Sequence, residues 1–192
     1  MSGGEVNRFH NRYCASEKWK SVMVGEILPW VLEDLELSGP VLEVGPGPGL
    51  VTEALVRYGV EDLTTLEIEQ GAADRLRSRF GDAVRVVTGD GEDMALPDGG
   101  FSTVLCCTML HHVPTTAGQD AVLHEAFRVL QPGGVLAGSD SRTSMRMRIY
   151  HIRDNFNPVD PGSLGDRLEA AGFRQVQVDA TESRFRFRAV KS

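Results

Sequence analysis

The sequence predicts an α/β fold: a doubly wound, mostly parallel sheet that closes with an antiparallel hairpin. Three observations lead there. Short apolar runs alternate with segments of helical periodicity from residue 41 to residue 138. A glycine-rich turn, Gly45-Pro46-Gly47-Pro48-Gly49, follows the first apolar run directly. The last two apolar runs, Phe173 to Ala180 and Phe185 to Val190, are joined by a connection too short for a parallel crossover.

The elements follow in order. Residues 1–15 are an arm poor in core residues. From Ser16, a plausible N-cap, Trp19, Val22, Met23, Ile27, Trp30, Val31 and Leu35 recur near helical spacing. Pro29 either kinks this helix or opens a second one. Residues 1–38 thus form an N-terminal helical arm on a single domain spanning 1–192. Strands are expected at Val41 to Val44, Leu63 to Ile68, Val84 to Val87, Phe101 to Thr108 and Val135 to Gly138. Helices are expected at Leu50 to Tyr58, at Ala72 to Phe80 with Ala72, Leu76 and Phe80 facing inward, and at Ala117 to Leu130. Pro132-Gly133-Gly134 reads as a turn before the fifth strand. Ser163 to Ala171 is a further helix, closed by Gly172.

Composition narrows the function classes. A chain of 192 residues has room for one domain of ordinary size. Its 27 acidic and 20 basic residues give a net charge of −7, which offers a polyanion such as nucleic acid no general attraction. No apolar run is long enough to span a bilayer, and no secretory signal pattern opens the chain. Cys14, Cys106 and Cys107 make no disulfide framework, so reduced thiols and a cytoplasmic location are expected. No CxxC or HExxH pattern calls for a metal.

The glycine loop carries the chemistry. A dinucleotide fingerprint needs glycine where Leu50 stands, and the Gly-Lys-Ser/Thr of a phosphate loop is absent. A phosphate cradle works through backbone N–H donors, and Pro46 and Pro48 have none. Glu43 adds negative charge beside the loop. A ligand with an adenosine end, a cationic centre and no phosphate fits better, and S-adenosylmethionine is such a ligand.

Here the chain resembles the class I S-adenosylmethionine-dependent methyltransferases, and among them the small-molecule type related to ubiquinone biosynthesis. Glu43-Val44-Gly45-Pro46-Gly47-Pro48-Gly49 is similar to the family's first motif. Glu67, 18 residues after Gly49, stands where the family places an acid on the ribose hydroxyls, with Ile68 beside it. Gly89-Asp90-Gly91-Glu92-Asp93-Met94 falls where the family recognises adenine. Leu96-Pro97-Asp98 with Phe101, Met109-Leu110-His111-His112-Val113, and Arg128-Val129-Leu130-Gln131-Pro132-Gly133-Gly134 match the later motifs; Ser102 departs from the family's usual aspartate. The resemblance implies a seven-stranded sheet in the order 3-2-1-4-5-7-6. It also implies cofactor contacts from Glu43, Gly45, Gly47, Gly49, Glu67, Ile68, Asp90, Gly91, Glu92, Thr108 and Met109.

Each residue has a plainer reading. The glycines could serve turns alone, Glu67 could be a solvated strand end, and Asp90 could cap its own turn. Glu43 could hold the loop backbone or face the cofactor's ammonium group. His111 and His112 are candidate bases, because histidine titrates nearest neutral pH, yet a histidine at a helix start is often a packing or capping residue. Tyr13, Tyr150, His151 and Asp140 are further candidates, Asp140 also as a metal ligand. Residues 142–153 hold Arg142, Arg146, Arg148 and Arg153 and no acid, with Met145, Ile149 and Ile152 on one helical face. They read as a solvated basic helix or as arginines meeting an acidic acceptor.

The resulting expectation is methyl transfer to a small molecule by in-line displacement. A non-catalytic cofactor-binding module and a nicotinamide-dependent oxidoreductase are the alternatives. A nucleic-acid enzyme is disfavoured because Cys107-Thr108-Met109-Leu110 stands where such amino-methylating enzymes carry Asp/Asn-Pro-Pro-aromatic. Monomer and homodimer both remain open.

Overall fold

The structure, a computed structural model, describes residues 16–142 and 156–192. Seven strands form one sheet in the order β3-β2-β1-β4-β5-β7-β6: β1 Val41–Val44, β2 Leu63–Glu67, β3 Arg85–Thr88, β4 Phe101–Cys107, β5 Leu130–Ser141, β6 Arg174–Ala180 and β7 Arg184–Val190. β1 to β5 are parallel, and β7 runs antiparallel to both β5 and β6. The order and the terminal hairpin match the sequence expectation.

The strand period of two divides the core. Leu42, Val44, Val104, Cys106 and Leu136 bury one face of the sheet under helices α5 (Thr116–Val129) and α6 (Pro161–Ala170). Val41, Leu63, Leu105, Cys107 and Ala137 bury the other under the N-terminal helix and α3 (Leu50–Arg57). Helix α4 (Gln70–Phe80) follows β2, and its Glu69 cap accepts the N–H groups of Gly71 and Ala72.

The N-terminal helix has three parts. Ser16 caps α1 (Glu17–Val22) by accepting the Trp19 N–H at 3.2 Å. A π turn, Met23–Ile27, comes next, and Pro29 stands in the first turn of α2 (Leu28–Val31). Of the two readings of Pro29, the second holds: it opens a short helix, and the wider turn lies just ahead of the residue that has no N–H to give. The arginines of β7 clasp this helix. Arg184 pairs with Glu26 at 3.6 Å, Arg186 with Glu33 at 2.6 Å, and Arg188 reaches the Val31 carbonyl at 3.4 Å.

Three expectations need correction. On α4, Ala73 is fully buried with Leu76, whereas Ala72 and Phe80 are half-buried. Pro132-Gly133-Gly134 is no separate turn: β5 starts at Leu130 and runs through it, with a register shift opposite Phe101 to Thr103. The Gly133 N–H reaches the Lys191 carbonyl at 2.6 Å, so pairing continues across the irregularity. β5 also runs on to Ser141, because Ser139, Asp140 and Ser141 keep partners on β7. The predicted basic helix at 142–153 lies, beyond Arg142, outside the described residues, as do Tyr13, Tyr150 and His151. Arg142 itself turns to the hairpin and donates to the Thr181 carbonyl at 2.9 Å. Among the described residues no helix is long and apolar enough to cross a membrane.

Candidate active site

The carboxyl ends of β1 to β5 share one edge, and the predicted site residues lie along it. At the end of β1 the chain makes a tight loop. Gly45, Gly47 and Gly49 adopt φ of 68°, 53° and 77°, a left-handed backbone that side chains disfavour. A Cβ on Gly45 would come within 2.8 Å of the Met109 Cβ, and one on Gly49 within 2.7 Å of Leu76. The two outer glycines therefore let the loop press against the end of β4 and against α4. Gly47, with open space around it, is the exposed crest.

Glu67 ties this crest down. At the end of β2, its Oε2 accepts the Gly47 N–H at 3.3 Å and its Oε1 accepts the Glu69 N–H at 3.0 Å. Burial raises its pKa above the usual carboxylate range, and these N–H groups pull it back. Each oxygen keeps an acceptor lone pair beyond its one N–H. Ile68, next in the chain, leaves a large apolar side chain 63% exposed at this edge.

Glu43 serves the interior. It is 2% exposed on β1, and its Oε2 accepts the Thr52 hydroxyl of α3 at 2.6 Å. It therefore ties β1 to α3. The side-chain period turns it toward α3. Burial pushes its carboxyl up to about 7, against the Thr52 hydrogen bond; the charge of Glu67 adds to the rise.

After β3, Asp90 takes the turn role: its Oδ1 accepts the Glu92 N–H at 2.9 Å, which occupies one of its two oxygens. Gly91 packs under Val44 and Val122. Glu92 leans over the first turn of α5, its Oε1 within 2.6 Å of where a Cβ on Gly118 would lie. Arg128, to which sequence reasoning assigns no role of its own, holds this loop. Its guanidinium donates to the carbonyls of Met94 and Leu96 at 2.7 and 2.8 Å and pairs with Glu125 and Asp98. Glu125 in turn accepts the Met94 N–H at 2.7 Å.

At the end of β4, Thr108 takes a φ of 54° and donates its N–H to Ser139 at 2.7 Å, which brings Met109 onto Gly45. The short 3-10 turn Leu110–His112 follows. His111 is 4% exposed, with Nδ1 2.6 Å from Asp140 Oδ1, and its backbone N–H donates to Asp140 Oδ2 at 3.1 Å. The Ser141 N–H adds a third donor to Asp140, at 2.7 Å. Asp140, weighed from sequence as a metal ligand, is thus bound up with N–H donors instead. His112 is half-buried, its ring centroid 4.1 Å from that of His111.

Two further residues escaped sequence reasoning. Gln119, 1% exposed on α5, donates to the Leu110 and Asn157 carbonyls at 3.1 and 2.8 Å. Asn157 donates its N–H to the His111 carbonyl at 2.9 Å and its side-chain amide to Val113 at 3.2 Å. A helix-face glutamine and a lone asparagine carry no local signal of such work. Cys106 and Cys107 are buried thiols; burial pushes Cys106 up to about 12 and Cys107 higher, so neither is a ready thiolate.

Residues 42–138 match the model of a family described as the methyltransferase domain. The chain belongs to that family. The match runs from β1 through most of β5, and so covers the edge from the glycine loop through His112 and Gln119 but stops before Asp140 and Asn157. Relatives extend this. The chain is 28% identical to a probable methyltransferase, ltbC, of Aspergillus luteorubrus, over 93% of this chain and 71% of that one. It is 35% identical to a ubiquinone biosynthesis O-methyltransferase of Psychrobacter arcticus, over 62% of this chain and 48% of that one. The chain thus spans about half the length of the ubiquinone-biosynthesis relatives it matches. In fold it is similar to an S-adenosylmethionine-dependent methyltransferase of Thermotoga maritima, a possible histamine N-methyltransferase. The TM-score is 0.70 at 22% identity, covering 96% of this chain and 98% of that one.

The methyltransferase's own residues fit the family's cofactor. Glu67 offers two remaining acceptor positions at the edge, suited to a pair of ribose hydroxyls. Exposed Ile68 offers an apolar surface that a flat heterocycle would cover. Gly47, left-handed and with open space around it, keeps the crest free of a side chain that a bound ligand would meet. Asp90, although engaged in its turn, still has one oxygen for an amino group.

Proposed function

We propose that this methyltransferase transfers a methyl group from S-adenosylmethionine to a small-molecule acceptor by in-line displacement. One observation carries the cofactor reading: Glu67 ties down the glycine crest through Gly47 while both of its oxygens keep acceptor capacity at the sheet edge. When bound, the cofactor supplies a methyl group on a sulfonium, already activated for displacement. The protein's task is then alignment and exclusion of water. Glu67, Ile68, Asp90, Gly91 and Glu92 would hold the adenosine end, and Gly45, Gly47 and Gly49 the end nearer β4. Thr108 and Met109 would line the reacting centre, with His111 and His112 the candidate bases beyond them. Glu43 would act indirectly, by holding α3.

A small acceptor is supported by the acidic balance, which offers a polyanion no general attraction. Reduced Cys106 and Cys107 fit a cytoplasmic setting. The test is thermal unfolding with and without ligand. At about 100 times the dissociation constant, S-adenosylmethionine or its demethylated product should raise Tm by roughly 5–10 °C. No shift at millimolar ligand would refute the reading, and a shift with NADH in its place would favour the oxidoreductase.

A further inference from the structure

We propose that Arg79, at the end of α4, is a positioning residue for the cofactor: it fixes the crest of the glycine loop, and through the crest it fixes Glu67. The inference rests on the proposed binding of S-adenosylmethionine at this edge. The stretch from Gly45 to Gly49 holds only three N–H groups, because Pro46 and Pro48 have none. All three are used within the protein. Gly45 donates to the Leu66 carbonyl at 2.9 Å, Gly47 to Glu67 Oε2 at 3.3 Å and Gly49 to the Pro46 carbonyl at 2.9 Å. The longest of these bonds is the one that joins the crest to Glu67. The loop has no further N–H with which to hold itself, so any added restraint must come to a carbonyl. Arg79 supplies it: Nη1 donates to the Pro48 carbonyl at 2.9 Å.

Arg79 is itself held. Its Nη2 pairs with Glu53 of α3, and its guanidinium lies over the Phe80 ring, 4.9 Å from the centroid. Glu53 is a fixed partner. Its backbone N–H donates to the Gly49 carbonyl at 3.0 Å, and its carboxylate also meets Arg57 and, at 3.7 Å, Lys20. Phe80 lies 3.0 Å from where a Cβ on Gly49 would stand. Neighbouring residues of α4 thus act on neighbouring residues of the loop, Arg79 on Pro48 by a hydrogen bond and Phe80 on Gly49 by packing. Satisfying a carbonyl does not explain the bond. Gly47 and Pro48 are exposed, so water would serve the Pro48 carbonyl as well. An ion pair whose arginine side chain is 42% exposed also adds little to stability. What the planar fork adds is place: one nitrogen on the loop and the other on α3 set the distance between them. Glu67 must meet the adjacent Gly47 N–H while turning its remaining lone pairs to the ribose hydroxyls, so the place of the crest sets the aim of the carboxylate.

Titration calorimetry with S-adenosylhomocysteine, alongside thermal unfolding, tests this. Arg79→Met keeps an apolar stem over Phe80 and loses both polar bonds. It should bind roughly 10-fold more weakly than the wild type, with Tm changed by less than about 3 °C. Arg79→Lys keeps the charge beside Glu53 without the fork and should recover part of the lost affinity. In a Glu67→Gln background, Arg79→Met should cost less than about twofold further, because the route through Glu67 is already cut. Equal affinity in the wild type and Arg79→Met would overturn the proposal. So would the full loss in the Glu67→Gln background, which would make Arg79 independent of Glu67. A fall in Tm of more than about 10 °C in Arg79→Met, with no recovery of affinity in Arg79→Lys, would make Arg79 a structural residue alone and overturn it too. No binding by the wild type would instead defeat the cofactor reading on which the proposal rests.

Discussion

The donor half and the acceptor half of the sheet edge are built by different means. The donor half, from β1 to β3, presents mainly backbone shape, in three left-handed glycines, an acid at a strand end and an Asx turn, with Arg128 securing its last loop from 34 residues away. The acceptor half, at β4 and β5, works through side chains brought together across long stretches of sequence. Asp140 meets His111 from 29 residues away, and Gln119 meets Asn157 from 38. A shared cofactor asks for the same loop geometry wherever it is bound, whereas an acceptor asks for whatever groups its own chemistry needs.

The largest expected effect lies in the donor half. Gly49→Ala must place a side chain at a φ of 77° and against Leu76 at 2.7 Å. Left-handed strain and overpacking together should cost about 3 kcal/mol. Gly47→Ala at φ 53° meets open space and should cost only about 1 kcal/mol, from the backbone alone. Urea denaturation of the two variants measures the gap. Equal losses would break the claim that the outer glycines are set by close packing and the crest is not.

Next comes pH. The Glu43 carboxyl is raised from 4.5 to about 7 in the folded protein, so the folded state binds its proton more tightly than the unfolded chain does. Its contribution is fully present below about pH 4.5 and is lost as pH rises through about 7. Glu43→Gln should remove this slope, gaining on the wild type between pH 5 and pH 8 by on the order of 1–3 kcal/mol. Denaturation midpoints across that range are the check. A parallel pair of pH curves would mean that Glu43 is no buried acid and that the interior of the donor half is wetter than described.

What was legible in the sequence divides along the same line. The strands, the hairpin and the glycine loop could be read because periodicity and turn chemistry are local, whereas the strand order is implied only by the family resemblance. Asp90 could be assigned a turn or a ligand, and the structure gives it the turn while leaving an oxygen over. For Glu43 the sequence does not say which side chain of α3 faces it; Thr52 does. Arg128 stood inside a quoted motif with no role, since its partners at Met94, Leu96 and Asp98 are met only after α5 has packed. His111 and Asp140 were each suspected alone. Their pairing depends on β4 and β5 lying side by side, which no spacing in the chain reveals.

The central claim is that the Gly45 to Asp90 edge binds the adenosine cofactor through Glu67. Titration calorimetry of S-adenosylhomocysteine into the wild type and Glu67→Gln tests it most directly. The account predicts saturable one-site binding by the wild type. It predicts affinity weaker by roughly 10- to 100-fold in Glu67→Gln, which loses hydrogen bonds to a charged acceptor. Equal affinity in the two proteins, or no binding by the wild type, would contradict it.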